Sequence, residues 1–305
     1  MLRSSLIFAA FAIAAPAAAQ SVPLGATPSS NDCLVRADAS PASWIIQGYD
    51  PFGGSTPEGT FAVTFRNEGT GDCIFTPTFQ LDHPPFGLSK GTGKPIAYAL
   101  LDVTNSQDVT PRAGRSQRTP SQPQLDLKAN QSRTLIYKLV ADADDVRDAG
   151  AFTQQVDLEA QDSSFRSFGG TRLLLGLNVL PSARIGLTGA FTMQHGHAVV
   201  DLGELRQGLA PVPLRLRVSS TGRYDIAISS ANSGRLRLGA SEWYVPYTLA
   251  IGPNALKLEG ASTVSSANDD GFRRDSLPIQ FIIGDVSNRL AGVYSDVVSI
   301  SVTAR

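Results

Sequence analysis

Two short patterns in the sequence contain residues that could do chemistry. Gly87–Gly91 matches G-x-S-x-G, which in hydrolases holds a catalytic serine (here Ser89) where a strand turns sharply into a helix. Prolines on both sides of it and the lack of helical periodicity favour a glycine-rich turn. His195 and His197 flank one glycine, as two metal ligands on a strand would, but only Asp201 or the distant His83 could add a third. We therefore predict no catalytic centre, no metal and no cofactor, and a protein that is not an enzyme.

Aromatic residues in turns are better candidates for binding. They stand in glycine- and proline-rich stretches, where side chains tend to be exposed, and exposed apolar residues mark binding surfaces when they are contiguous. The candidates are Phe52, Phe86, Phe165 and Phe168. Each ring could equally fold back onto its own hydrophobic core, so the pattern leaves both outcomes open.

Composition and the N-terminal segment indicate export. The formal net charge is −1 and charged residues make up 17% of the chain, so there is no basic field to attract nucleic acid. Residues 1–19 combine Arg3, an apolar stretch and a small-residue cleavage site, which is typical of a secretory signal peptide. In an oxidising compartment the only two cysteines, Cys33 and Cys73, are expected to form a disulfide rather than remain free thiols.

An internal repeat divides the mature chain. Ala149–Phe152 aligns with Ala291–Tyr294, and weaker matches precede both segments. Short alternating strands separated by Gly and Pro turns fill each copy, with almost no 3.6-residue periodicity. The sequence therefore predicts an all-β protein with two tandem immunoglobulin-like antiparallel β-sandwiches, over residues 20–180 and 181–305.

The two copies differ at their ends. Residues 291–303 alternate as one strand with a buried face, whose inner residues are Tyr294, Val298, Ile300 and Val302. The first copy runs on into Leu173–Val179, another alternating strand, whereas nothing comparable follows in the second copy. We expect the first sandwich to be completed within the chain and the second to lack its last strand. The alternation over 171–180 would also fit a first strand of the second copy.

Two motifs resemble a known family. Gly-Tyr-Asp-Pro at Gly48–Pro51, with a weaker echo at Val200–Gly203, and Ala-Gly-Val-Tyr-Ser-Asp-Val-Val at Ala291–Val298 are similar to motifs of the spore coat protein U domain. That domain forms the subunits of archaic chaperone-usher pili. The resemblance implies an immunoglobulin fold lacking its final strand, whose gap is filled first by a periplasmic chaperone and then by the N-terminal extension of the next subunit.

The resemblance and the asymmetry together predict a two-domain pilus adhesin whose second domain accepts a strand. Residues 20–32 lack the alternating apolar residues of a donor strand, so we expect a subunit that only accepts, which belongs at the tip. Its partners would be the periplasmic chaperone, the outer-membrane usher, a neighbouring pilus subunit and a host or abiotic surface. It would pass through the periplasm to the cell surface. The phenylalanines would form adhesive loops, and the inner residues of the terminal strand would lie beside the donor-strand groove. The alternatives are a freestanding exported ligand- or carbohydrate-binding β-sandwich protein and a hydrolase using Ser89.

Overall fold

The computed structural model describes residues 32–81, 83, 85–111, 123–266 and 271–305. The predicted signal peptide and the leader up to residue 31 lie outside these residues. Strands account for the regular structure described, apart from one 3₁₀ turn at Ala143–Asp145. The predicted all-β fold class is confirmed. Within the part of the chain that the structure describes, no helix has the length and apolarity needed to cross a membrane.

The first sandwich is built from ten strands. They are β1 (Val35–Ala39), β2 (Ser43–Tyr49), β3 (Glu58–Asn67), β4 (Cys73–Leu81), β5 (Tyr98–Asp102), β6 (Gln107–Asp108), β7 (Leu125–Leu127), β8 (Ser132–Ala141), β9 (Gly150–Gln161) and β10 (Ser167–Val179). One sheet has the order β1-β3-β8-β5-β6 and the other β2-β10-β9-β4-β7. The inner faces share one core, in which the ring of Tyr137 lies 5.7 Å from Trp44 and 5.1 Å from Phe79 of the other sheet.

The strand β10 lies inside a sheet of the first sandwich. It pairs antiparallel with β9, where Leu173 is opposite Val156, and parallel with β2, where Leu175 is opposite Trp44. The side chains of Leu173, Leu175, Leu177 and Val179 are all buried in the first core. The ambiguity over residues 171–180 is therefore resolved, because this segment completes the first sandwich.

The second sandwich comprises the remaining strands. They are β11 (Ala183–Gly189), β12 (Thr192–Gln194), β13 (His197–Val199), β14 (Gly208–Leu209), β15 (Leu214–Ser220), β16 (Tyr224–Ser230), β17 (Arg235–Leu238), β18 (Tyr244–Ile251), β19 (Asn254–Leu256), β20 (Ser262–Ser265), β21 (Arg273–Ile283), β22 (Tyr294–Ser295) and β23 (Val298–Ala304). The larger sheet has the path β11-β15-β21-β18-β17-β22, with β14 beside β21 and β19 beside β18, and the smaller sheet is β20-β16-β23. Their core is a cluster separate from that of the first sandwich.

The terminal segment is two strands rather than the single strand predicted. Tyr294 and Ser295 pair with β17, and the chain then passes to the smaller sheet, where Val298–Ala304 pair with β16. Asp296 lies at the break, and its carboxylate accepts hydrogen bonds from Ser230 Oγ at 2.5 Å and Tyr247 OH at 2.7 Å. This carboxylate replaces strand pairing at the point where the chain changes sheets.

The two cysteines form the predicted disulfide. Cys33, just before β1, is bonded to Cys73, the first residue of β4. The bond therefore joins the two sheets of the first sandwich at the end where β1 begins.

Candidate functional site

The strands β9 of the first sandwich and β23 of the second occupy equivalent places. Leu158 of β9 is paired with Phe79 of β4, and Ile300 of β23 is paired with Ile228 of β16. Ahead of these pairs, Thr153 bridges to Ser89 in the first sandwich and Ser295 pairs with Arg237 in the second. The repeat alignment over this region therefore describes real structural equivalence.

One edge of β9 pairs with β4, and one edge of β23 pairs with β16. The other edge of β9 is covered by a further strand, whereas the other edge of β23 is open. In the first sandwich β10 pairs with β9 along that edge. Among the described residues, β23 has only β16 as a strand neighbour. In the first sandwich β2 pairs with β10 at the edge of the sheet. The counterpart of β2 in the second sandwich is near Val200–Gly203, and these residues join neither sheet.

Backbone groups of β23 point towards this open edge. The amide of Ala231 donates to the carbonyl oxygen of Val297, and the amide of Arg305 donates to that of Arg223. Because backbone groups alternate in direction along an antiparallel strand, the N–H and C=O groups of Val298, Ile300 and Val302 point away from β16. This unpaired row can form backbone hydrogen bonds with an added strand.

Apolar side chains line a groove along the open edge. Val298, Ile300 and Val302 on one wall, and Ile185 and Leu187 of β11 on the other, are only partly buried, although they pack against the second core. The matching residues of the first sandwich are covered by β10 and are buried. In β9 these are Val156, Leu158 and Ala160, each 0% exposed, and in β1 they are Val35 and Ala37. The difference in burial follows the presence or absence of one strand.

The groove has a polar point at Asp296. Its Oδ1 accepts from the backbone amide of Asn232 at 3.0 Å and its Oδ2 from the hydroxyls of Ser230 and Tyr247. Burial, followed by the hydrogen bond to Asp296, raises the pKa of Tyr247 above its ordinary value. With its oxygens already bound, Asp296 fixes the crossing between the sheets and leaves the groove itself apolar. Tyr294, the first predicted groove residue, is partly buried and its hydroxyl donates to the carbonyl oxygen of Leu290.

Two glycines show how a strand enters such a groove. At Gly169, with φ of +140°, a side chain would collide with the carbonyl oxygen of Val35, and at Gly170 with that of Leu158. The start of β10 thus passes between β1 and β9 with room only for backbone. The glycines at this point of the sequence are explained by this close approach.

The candidate phenylalanines do not form one surface. Phe52 follows β2, and its ring lies 5.8 Å from that of Phe272 in the second sandwich. Phe165 is in the β9–β10 turn at the other end of β10, a strand of 13 residues and therefore about 40 Å long. Phe86 is partly buried beside Tyr98, at 4.8 Å between ring centroids.

Only the turn between β9 and β10 presents a candidate ring prominently. Phe165 is 61% exposed and has φ of +63°. Phe168 packs partly against the first core, with the guanidinium carbon of Arg166 5.0 Å from its ring centre. This turn lies at the end of the first sandwich farthest from the second.

The patterns considered for chemistry lie in turns and bridges. Ser89 pairs with Thr153, and its hydroxyl donates to the carbonyl oxygen of Thr153 at 3.4 Å. His195 is at the tip of the β12–β13 hairpin and His197 begins β13, both exposed. Over the residues that the structure describes, no group of three or more His, Cys, Asp or Glu side chains could hold a metal ion.

Comparison with solved structures finds weak structural similarity at low sequence identity. A chain of the CsuC–CsuE chaperone–tip adhesion subunit pre-assembly complex, from archaic chaperone-usher Csu pili of Acinetobacter baumannii, is 12% identical, with a TM-score of 0.40 over 75% of this chain and 84% of that one. CfaE, the adhesive subunit of CFA/I fimbria of enterotoxigenic Escherichia coli, is 11% identical, with a TM-score of 0.31 over 92% of this chain and 84% of its own. A chain of the chaperone–tip adhesin complex of CFA/I fimbriae biogenesis is 12% identical, with a TM-score of 0.32 over 86% and 95%.

No family model and no curated protein matches the sequence. Membership in the spore coat protein U family therefore stays a prediction.

Proposed function

We propose that this chain is a non-enzymatic, two-domain tip subunit of a chaperone-usher pilus, whose second sandwich is completed by a strand from another polypeptide. One observation carries the proposal. The edge of β9 is covered by β10, whereas the equivalent edge of β23 has no strand beside it among the described residues. An added strand would gain backbone hydrogen bonds and bury the partly exposed side chains of the groove.

The first sandwich supplies the register of the added strand. β10 runs antiparallel to β9, with Leu173 opposite Val156 and Leu177 opposite Phe152. Transferred to the second sandwich, these two positions face Val298 and Tyr294. Between them, the position occupied by Leu175 faces Asp296, whose oxygens are already hydrogen bonded, so an apolar residue suits this position as well. The incoming strand therefore carries apolar residues at every second position.

The two sandwiches would have different partners during assembly of the pilus. A periplasmic chaperone would fill the groove first, and a neighbouring subunit would replace it at the outer-membrane usher. The proposed boundary between the domains lies between residues 180 and 181, directly after β10. The first sandwich, complete within the chain, would contact a host or abiotic surface through the exposed β9–β10 turn. The protein would thus be exported to the cell surface.

The experiment uses the mature chain, residues 20–305, and a synthetic peptide copying residues 170–180. Thermal unfolding is recorded at rising peptide concentration, because a ligand that binds only the folded form raises the melting temperature. A scrambled peptide of the same composition is the control. We expect a saturable rise with the β10 sequence alone.

The register has its own matched test. In the first sandwich Arg172 of β10 pairs with Asp157 of β9, with 3.0 Å between Nε and Oδ1. Ser299 occupies the place of Asp157 in the second sandwich, so Ser299→Asp should bind the peptide up to about fivefold more tightly through an exposed ion pair. Ser299→Ala should leave the affinity unchanged, and high salt should remove the gain. A cooperative melt that ignores every peptide would mean that the second sandwich is already complete, as in a freestanding binding protein.

A further inference from the structure

The outer face of the terminal segment carries two exposed valines. Val293 is 84% exposed and Val297 is 67% exposed. They alternate with the inward residues Tyr294 and Val298, so they point out of the sandwich, away from the groove. Neither contributes to the second core.

The equivalent positions of the first sandwich are occupied differently. Ala151 and Gln155 of β9 stand where Val293 and Val297 stand in the second sandwich. Their cross-strand neighbours on β10 are Asn178 and Leu174. Every outward residue of β9 in this region therefore lies beside an outward residue of the completing strand.

We infer that the strand completing the second sandwich is apolar on its outer face too, with a β-branched or aromatic residue opposite Val297 and another opposite Val293. This inference rests on the proposed function and specifies the partner. Directly opposed side chains on one face of a sheet interact, and apolar β-branched and aromatic pairs are among the most favourable. Because the strands are antiparallel, the residue opposite Val297 comes first and the residue opposite Val293 follows four positions later.

The partner differs from β10 at one of these two positions, because β10 has Leu174 at the first and the polar Asn178 at the second. A strand with only an inward apolar row alternates apolar and polar residues, as a sheet with one wet face does. The partner strand instead has two further apolar residues among its outward positions, which makes it almost continuously apolar over six residues. A charged residue at either outward position would be placed beside a valine and would lose affinity.

The experiment is a set of double-mutant cycles with the mature chain and the peptide copying residues 170–180. In this peptide Leu174 faces Val297 and Asn178 faces Val293. We expect the Asn178→Val peptide to bind about two- to fivefold more tightly and the Leu174→Ser peptide to bind weaker by a similar factor, the range of a cross-strand pair. The first effect should disappear with the protein variant Val293→Ser and the second with Val297→Ser. Both valines are exposed, so these variants are expected to fold.

Two results would overturn the inference, and they can be told apart. If the unaltered peptide binds and Ser299→Asp strengthens it, but the outward substitutions show no coupling to Val293 or Val297, the outer face is not part of the recognition and the proposed function stands. If no peptide binds at all, the proposed function fails and this inference fails with it. Coupling at only one of the two valines would limit the apolar outer face to that position.

Discussion

The sharpest prediction concerns one substitution made at two equivalent places. Leu158 of β9 and Ile300 of β23 face the cores of their sandwiches from corresponding positions. Leu158 is 0% exposed because β10 covers it, whereas Ile300 is only partly buried. Truncating each to alanine therefore removes a similar side chain from a closed site and from an open one.

The expected magnitudes differ accordingly. Leu158→Ala should lower the free energy of unfolding of the first sandwich by about 2–5 kcal/mol, the range for a fully buried leucine. Ile300→Ala should lower that of the second sandwich by about 1–2 kcal/mol, because part of the side chain is in contact with water before and after the change. Binding of the β10 peptide buries the rest of the Ile300 side chain. The Ile300→Ala variant loses this contribution of about 1–3 kcal/mol, so it should bind the peptide roughly five- to hundredfold more weakly.

Calorimetry of the mature chain measures both effects. The transition of the first sandwich is identified by adding a reducing agent, since the disulfide belongs to that sandwich. An Ile300→Ala variant as unstable as Leu158→Ala in the absence of peptide would show that the edge of β23 is already covered. Unchanged peptide affinity would show that the peptide does not reach Ile300. Either result would refute the reasoning.

Three further predictions follow from individual contacts. Reducing the bond between Cys33 and Cys73, 40 residues apart, should destabilise the first sandwich by about 4 kcal/mol and leave the second transition in place, measured by calorimetry. The raised pKa of Tyr247 means that the unfolded chain, with its ordinary pKa of 10.0, loses this proton first. The resulting stability is present below about pH 10 and declines as the pH rises further; Tyr247→Phe should make alkaline unfolding less steep, and should cost about 1–3 kcal/mol at neutral pH because Asp296 loses a donor. Phe165→Asp should reduce attachment of cells or purified protein to surfaces without changing the melting temperature, because this side chain is 61% exposed.

The main features of the fold and groove could be predicted from period-two alternation. Alternating apolar residues identify Leu173–Val179 as a strand and Val298, Ile300 and Val302 as one face of another, and the internal repeat places them at equivalent ends. The disulfide followed from export and from the presence of only two cysteines. Alternation along a strand and the number of cysteines can be seen in the sequence without knowledge of distant contacts, and the structure contains the strands and the bond that they predict.

Other features depend on contacts between distant segments. The break at Asp296 arises because this carboxylate binds the hydroxyls of Ser230 and Tyr247, which alternation along one strand does not reveal. The contribution of Ile185 to the groove depends on how far the two sheets separate at their edges. Phe52 lies in a turn typical of exposed residues, yet its ring contacts Phe272 of the other sandwich.

The position of β10 also decides how the molecule carries tension. The chain leaves this strand at Val179 and enters the second sandwich at Ala183, so a pull between the sandwiches acts along β10. Its hydrogen bonds to β2 on one side and β9 on the other lie across that pull, and both rows are loaded in shear at once. A strand added to β23 would have one such row, since the counterpart of β2 stands outside the sheets. Stretching the assembled protein should therefore extract the added strand from the second sandwich while the first sandwich stays folded.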